Sequence, residues 1–236
     1  MTSLRIDIWS DIACPWCYVG KRRLEAALQQ FPERAAVEVV WRAFELDPTA
    51  PRVRDPAISY SERLSKKYGT SPAQAEQMIR RMTDVAAADG LEFRFDRIRP
   101  GNTFDAHRVL HMAHDHGLQD AVKERFLLGY MTQGEAIGEP EVLVRLAASA
   151  GLDAAAVREM LKSSRYEREV RADEEQARSL GITGVPFFII GERYALSGAQ
   201  PSEVILGALQ QAWAETRAAA AAPAAEGAVC GPDGCA

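Results

Sequence analysis

Between positions 4 and 9 apolar and polar residues alternate, and β-branched and aromatic side chains dominate, which predicts a short strand. A loop over 10–13 leads into a helical pattern from about 14 to 30, where Pro15 suits the first turn because its missing N–H has no bond to make there. Alternation returns over 37–44, so the chain opens β-α-β, and the prolines between 47 and 56 then break the pattern. From 59 to about 161 the spacing is almost wholly helical, with candidate helices near 59–68, 71–88, 103–117, 119–132, 139–149 and 153–162. Ser71-Pro72 and Asp153 look like helix starts, and Gly69, Gly117, Gly151 and Gly181 stand where helices should stop. A helix over about 164–180 precedes a strand at 187–190. Gly191, Glu192 and Arg193 turn it into a second strand at 194–196, and a last helix over 201–215 opens with Pro201 and Ser202.

With the helical block set aside, what remains is β-α-β followed by α-β-β-α. This is the element order of a thioredoxin fold, so the expected class is α/β, a thioredoxin fold with a large inserted all-helical domain. The expected division is 1–56 and 163–216 for the two halves of that fold, 57–162 for the insertion and 217–236 for a tail. Beyond Thr216 the composition collapses to Ala, Pro and Gly, and 217–229 reads as a flexible linker.

Charge narrows the function. The chain of 236 residues has 28 basic and 33 acidic residues, a net charge of −5, and so lacks the basic excess that a nucleic-acid binder needs. The run Lys21, Arg22, Arg23 reads as the solvated face of a helix. The N-terminus enters a strand pattern with no export signal, and no stretch is long and apolar enough to span a bilayer, so the expected location is cytoplasmic, away from membranes. Four cysteines in such a chain point to catalysis or metal binding rather than a disulfide scaffold.

Cys14-Pro15-Trp16-Cys17 places a Cys-x-x-Cys pair between a strand and a helix. A thiol at a helix N-terminus faces unsatisfied N–H groups and the positive end of the dipole, which favours its thiolate. A thiol of pKa about 8.5 is roughly 3% ionised at pH 7, whereas one near 5 is about 99% ionised. Cys14, nearer the tip, should attack a disulfide, and Cys17, one turn further in, should resolve the mixed disulfide. The alternative is half a zinc site, although Pro15 and Trp16 are unlike a zinc knuckle. Asp11 is a candidate proton relay for Cys17, or else the cap of the first helix.

With these motifs the chain resembles the DsbA-like thioredoxin family, and within it the cytoplasmic FrnE-type branch. The resemblance rests on Trp-Ser-Asp-Ile-Ala-Cys-Pro-Trp-Cys-Tyr-Val-Gly (9–20), Gly-Val-Pro-Phe-Phe (184–188) and Asn-Thr-Phe-Asp-Ala-His (102–107), and spans about 4–215. It implies a thiol–disulfide oxidoreductase without a bound cofactor, reducing, oxidising or isomerising disulfides of a protein or small-thiol substrate and exchanging electrons with glutathione or a thioredoxin system. It also implies a cis peptide at Val185–Pro186 beside the cysteines, with Val185, Pro186, Trp16 and His107 around the substrate. Oxidising members carry a histidine between the cysteines; Trp16 supplies no such charge, which leaves the direction of exchange open. The chain is expected to act as a monomer or homodimer.

Two features stand apart. Cys230-Gly-Pro-Asp-Gly-Cys235 has a turn sequence between its cysteines. A similar C-terminal pair occurs in some FrnE-type proteins, so it reads as a second redox couple, with incidental thiols or a metal clip as alternatives. His107, His111 and His114 recur along one helix face, a spacing that can bind zinc but reads better as ordinary helix positions, with His107 facing the cleft and the others more exposed. No metal site is expected. The rival functions are a glutathione-dependent transferase or isomerase of the kappa or hydroxychromene-carboxylate isomerase type, and a holdase chaperone with regulatory thiols.

Overall fold

The alternation near the N-terminus forms strand β1 (Leu4–Ser10), which buries Leu4, Ile6 and Ile8 on one face. A computed structural model describes residues 3–53, 55 and 57–221. Strand β2 (Val37–Ala43) lies parallel to β1, with Leu4 opposite Val37 and Ser10 opposite Ala43. On the other side β3 (Phe187–Ile190) runs antiparallel to β1, and β4 (Tyr194–Ser197) antiparallel to β3, giving the order β2-β1-β3-β4. The β3–β4 turn sets Gly191 and Glu192 at φ 58° and 61°, and the Arg193 N–H donates to the Ile190 carbonyl at 3.2 Å. Two left-handed central residues match the twist of a two-residue hairpin.

Helices α1 (Pro15–Gln30) and α9 (Ser202–Ala221) cover the sheet, and Leu24, Ile205 and Leu209 meet Ile6, Ile8 and Phe188 in one core. A second core lies within α2 (Tyr60–Tyr68), α3 (Pro72–Ala88), α4 (Phe104–Asp115), α5 (Gln119–Leu128), α6 (Pro140–Ser149) and α7 (Ala154–Lys162). Ile12, Tyr18 and Val19 join that second core, so α1 presents one face to the sheet and another to the helical block. The start signals act as expected: Ser71 caps α3 in a reciprocal capping box, and the Asp153 carboxylate accepts from the Ala156 N–H at 2.7 Å. The chain is left-handed at the expected stop glycines, for example Gly69 at φ 63° and Gly181 at φ 70°.

Helix α8 (Glu167–Ser179) returns the chain to the sheet through Asp173, whose side chain is 4% exposed. One oxygen accepts from Arg42 Nη1 at 3.0 Å; the other accepts from the Ala43 N–H at 2.9 Å and lies 2.9 Å from His111 Nε2. The Asp173 carbonyl also accepts from Trp9 Nε1 at 2.9 Å. One buried carboxylate therefore joins α8, β2 and α4.

Three expectations are corrected. The basic run on α1 is no solvated face: Lys21 is buried, with Nζ 3.1 Å from Asp120 and 3.2 Å from Glu124, and paired with Glu25. Arg22 bonds Glu25 and Glu124. Periodicity places these side chains on a helix but does not show that the acidic edge of α5 packs across them. The linker expected from 217 is helical as far as Ala221, because alanine is the strongest helix former and needs no buried surface to continue an existing helix. The helix expected over 119–132 keeps α geometry only to Leu128 and ends in a π turn, Gly129–Gln133. Cys230 and Cys235 lie outside the described residues. Among the described residues no helix is long and apolar enough to cross a membrane.

Candidate active site

The end of β1 delivers Ser10 and Asp11 beneath the first turn of α1, and Cys14 occupies the N-cap position. That helix begins without a side-chain cap: Asp11 Oδ1 accepts from the Ala13 N–H at 3.3 Å, outside the helix, and Oδ2 from the Leu46 N–H at 2.8 Å. The capping role weighed for Asp11 is thereby corrected, since the loop turns its carboxylate inward. Asp11 is 1% exposed and lies 3.5 Å from His107 Nε2, within ion-pair range but outside hydrogen-bond geometry. Burial alone would raise its pKa; His107, the Leu46 N–H and Thr103 bring it below the ordinary carboxylate value.

Both cysteines are free thiols. Cys14 lines a cleft of about 770 Å³ between the sheet elements and the helical block, whereas Cys17 is fully buried below it. The Cys14 Sγ–H donates to the Val185 carbonyl at 3.5 Å, and the Val185–Pro186 peptide is cis. The pair ionises as one unit. Burial opposes a charge on Cys17, but the Cys14 thiol, the Lys123 ammonium and the Ser10 hydroxyl outweigh it and hold Cys17 below the usual cysteine value. Cys14 is then pushed up, first by the Cys17 sulfur, which shares the one Cys14 proton with the Val185 carbonyl, and next by burial. The expected depression of Cys14 alone is thus corrected: the charge is shared, and its protein partners cluster around Cys17.

Pro186 is pressed against α1 at Gly20, where a Cβ would stand 2.9 Å from Pro186 Cγ and 3.4 Å from Phe188 Cζ. A Gly20→Ala substitution should displace the Pro186 loop from the cysteines at a cost of about 1–3 kcal/mol. The expected result is a lower Tm together with slower alkylation or exchange at Cys14. An unchanged rate at Cys14 would show that this contact does not set the site.

Trp16, Tyr60, Tyr68 and Met82 give the cleft apolar walls, and Arg63, Lys66 and Lys67 of α2 add positive charge. Val185 is on the wall as expected; His107 is not. It is 1% exposed behind Asp11, because α4 turns its core-packing side toward the cysteine loop. The histidine row does not converge: His111 goes to Asp173 and His114 is exposed. Among the described residues no group of three or more His, Cys, Asp or Glu is arranged to hold a metal.

Sequence reasoning missed Lys123, which is fully buried, donates from Nζ to the Ser10 carbonyl at 3.4 Å and stands 5.3 Å from the Trp41 ring centroid. A signal was available: Lys123 occupies an apolar-stripe position of α5, with Gln119, Val122, Phe126 and Leu127. Glu45, whose carboxylate takes Asn102 at 3.2 Å and Arg171 at 2.7 Å, was also missed, because its partners are far away in sequence.

A model of the DSBA-like thioredoxin domain matches residues 5–210. YwbO, an uncharacterized protein of Bacillus subtilis (strain 168), is 29% identical over 192 residues, covering 80% of this chain and 88% of its own. The crystal structure of a probable DsbA oxidoreductase from Streptomyces coelicolor is 46% identical with a TM-score of 0.85, covering 99% of this chain and 98% of its own. The cytosolic disulfide reductase DsbM of Pseudomonas aeruginosa has a like fold, with 18% identity, a TM-score of 0.59, and coverage of 92% of this chain and 100% of its own.

Proposed function

The chain belongs to the DSBA-like thioredoxin family, and from that premise we propose that it is a thiol–disulfide oxidoreductase working through Cys14 and Cys17. The observation that carries this reading is the layering of the pair: Cys14 is on the cleft wall beside the Val185 carbonyl, and Cys17 is closed off beneath it. Substrate sulfur reaches Cys14 first. Cys14, passing its proton to the Cys17 sulfur, attacks one sulfur of a substrate disulfide, the old S–S bond breaks, and the departing thiolate takes that proton from Cys17, which is left as the thiolate. Cys17 then attacks Cys14, releasing the second substrate thiol and leaving Cys14–Cys17 oxidised. An external dithiol or thiol restores the pair.

The walls favour a particular class of substrate. About 770 Å³ is the volume of a small-molecule site, and Lys66 and Lys67 of α2 line it without an ion-pair partner among the described residues, beside Arg63, whose guanidinium donates to the Ile58 and Asp55 carbonyls. The exchange partner that fits is a small anionic thiol or its disulfide, of which glutathione is the accessible probe.

The test is reduction of insulin in dithiothreitol, beside reduction of two small disulfides of opposite charge, glutathione disulfide and cystamine. Catalysed insulin reduction, with kcat/KM for glutathione disulfide at least about tenfold above that for cystamine and the gap closing in high salt, is expected. A protein no faster than buffer on all three substrates is not a disulfide oxidoreductase. Equal rates on the two small disulfides would remove the anionic preference alone.

A further inference from the structure

A lysine is seldom buried without a carboxylate beside it, because an ammonium stripped of water costs several kcal/mol. Lys21 obeys the rule, with three carboxylates around it. Lys123 does not: among the described residues it has no ion-pair partner, only the Ser10 carbonyl and the face of Trp41, itself steadied by Asp120 Oδ1 accepting from Nε1 at 2.9 Å. Something else must offset this charge. Of the ionisable groups facing Lys123, Cys17 favours its ammonium most, followed by Asp11 of the β1–α1 loop and Cys14, while Lys21 of α1 opposes it. From α4, His107 faces Asp11 at 3.5 Å. The Ser10 hydroxyl, buried with no hydrogen-bond partner of its own, is free to point its proton at the Cys17 sulfur.

We propose that Lys123 is a positioning residue for the exchange reaction, the fixed countercharge of the Cys17 thiolate, through which the inserted helical block sets the redox balance of the cysteine pair. This rests on the reading of Cys14 and Cys17 as an exchange centre. In the resolving step the Cys17 thiolate attacks Cys14 of the Cys14–substrate disulfide. The Cys14–Cys17 bond forms, the Cys14–substrate bond breaks, and the electron pair leaves on the substrate thiolate, which is protonated by solvent. The pair loses two electrons and the substrate gains them. The negative charge beside Lys123 goes with the leaving group, so the ammonium stabilises the dithiol form, with its thiolate, and not the disulfide. With the thiols free, burial already lowers the Lys123 pKa to about 8, and loss of the Cys17 charge should lower it further. Lys123 therefore makes the pair easier to reduce and more ionised near neutral pH.

The decisive variant is Lys123→Met, which keeps the length of the side chain and removes its charge. In the full chain the midpoint of thiolate absorbance should rise by about one pH unit, and the equilibrium with glutathione should move about tenfold toward the Cys14–Cys17 disulfide, roughly 30 mV. Lys123→Arg, which keeps the charge, should restore most of both. In a Cys17→Ser background Lys123→Met should shift the pH profile of Cys14 alkylation by much less than it shifts the pair, since the charge acts mainly through Cys17 and only secondarily on Cys14. A folded Lys123→Met protein with wild-type titration and potential overturns the proposal, as does an equal shift in the Cys17→Ser background. If the variant fails to fold, carbon-13 NMR at the lysine Cε of the wild type decides: the Lys123 midpoint should be lower in the oxidised protein than in the reduced one, and equal midpoints overturn the proposal. Failure of the wild type to reduce insulin would defeat the functional reading, whereas these titrations report on Lys123 separately.

Discussion

Replacing Cys14 by serine should lower insulin reduction to the uncatalysed rate, a loss on the order of 100-fold or more, with a loss of stability of no more than about 1 kcal/mol. A hydroxyl is not ionised at neutral pH, and of the pair Cys14, not Cys17, lines the cleft. Cys17→Ser should behave differently. It keeps the first attack but not the resolution, so a disulfide between Cys14 and substrate should accumulate and be seen by mass spectrometry after non-reducing denaturation. Turnover stops in both variants, yet only the Cys17 variant traps substrate. Trapping by Cys14→Ser instead would reverse the order assigned to the two sulfurs. Insulin reduction surviving in Cys14→Ser would move the activity away from this pair.

The largest loss of stability is expected from Asp173→Ala. The substitution leaves the Arg42 guanidinium, the Ala43 N–H and His111 without their shared acceptor at a site where the carboxylate is 4% exposed. Breaking such a buried set costs about 3–5 kcal/mol, or roughly 10 °C in Tm for a chain of this size. The pH dependence has a defined sign. Burial alone would raise the Asp173 pKa, but His111, the Ala43 N–H and Arg42 hold it below its ordinary value. Its contribution is therefore complete above the unfolded aspartate pKa, about 3.9, and is lost as pH falls through the lower folded value. Wild type and Asp173→Ala should differ most near neutral pH and converge in strong acid, as read by denaturant midpoints across the pH range. A constant gap would mean that the loss comes from packing rather than from the charge. Exchange at Cys14 per folded molecule should be unaffected, because Asp173 does not line the cleft.

Much of the architecture was legible along the chain because it depends on short-range rules. Alternation over 4–9 and 37–44 led to β1 and β2, Gly191 and Glu192 to a hairpin, and Ser71 and Asp153 to helix starts, since each signal acts within a few residues of its own position. The element order then selected the thioredoxin fold, and Cys14-Pro15-Trp16-Cys17 was conspicuous by spelling and by place. Composition alone misled at 217–221, where an alanine run extends α9 instead of starting a linker.

The environment of those cysteines was decided only in three dimensions. Lys123 is 106 positions from Cys17, and no spacing rule connects them; α5 must first pack across the end of β1 for its ammonium to reach the Ser10 carbonyl, close enough for its charge to act on Cys17. The same packing buried Lys21 against Asp120 and Glu124, and the fold of α4 and α8 around β2 took His111 to Asp173 while His107 stayed with Asp11. Charge and burial act through space over a few ångströms, whereas sequence pattern reports only which face of its own element a residue occupies. The sequence by itself therefore determined the elements, their order and the pair of sulfurs. The tertiary structure decided which charges stand beside that pair, because those charges come from residues far away along the chain.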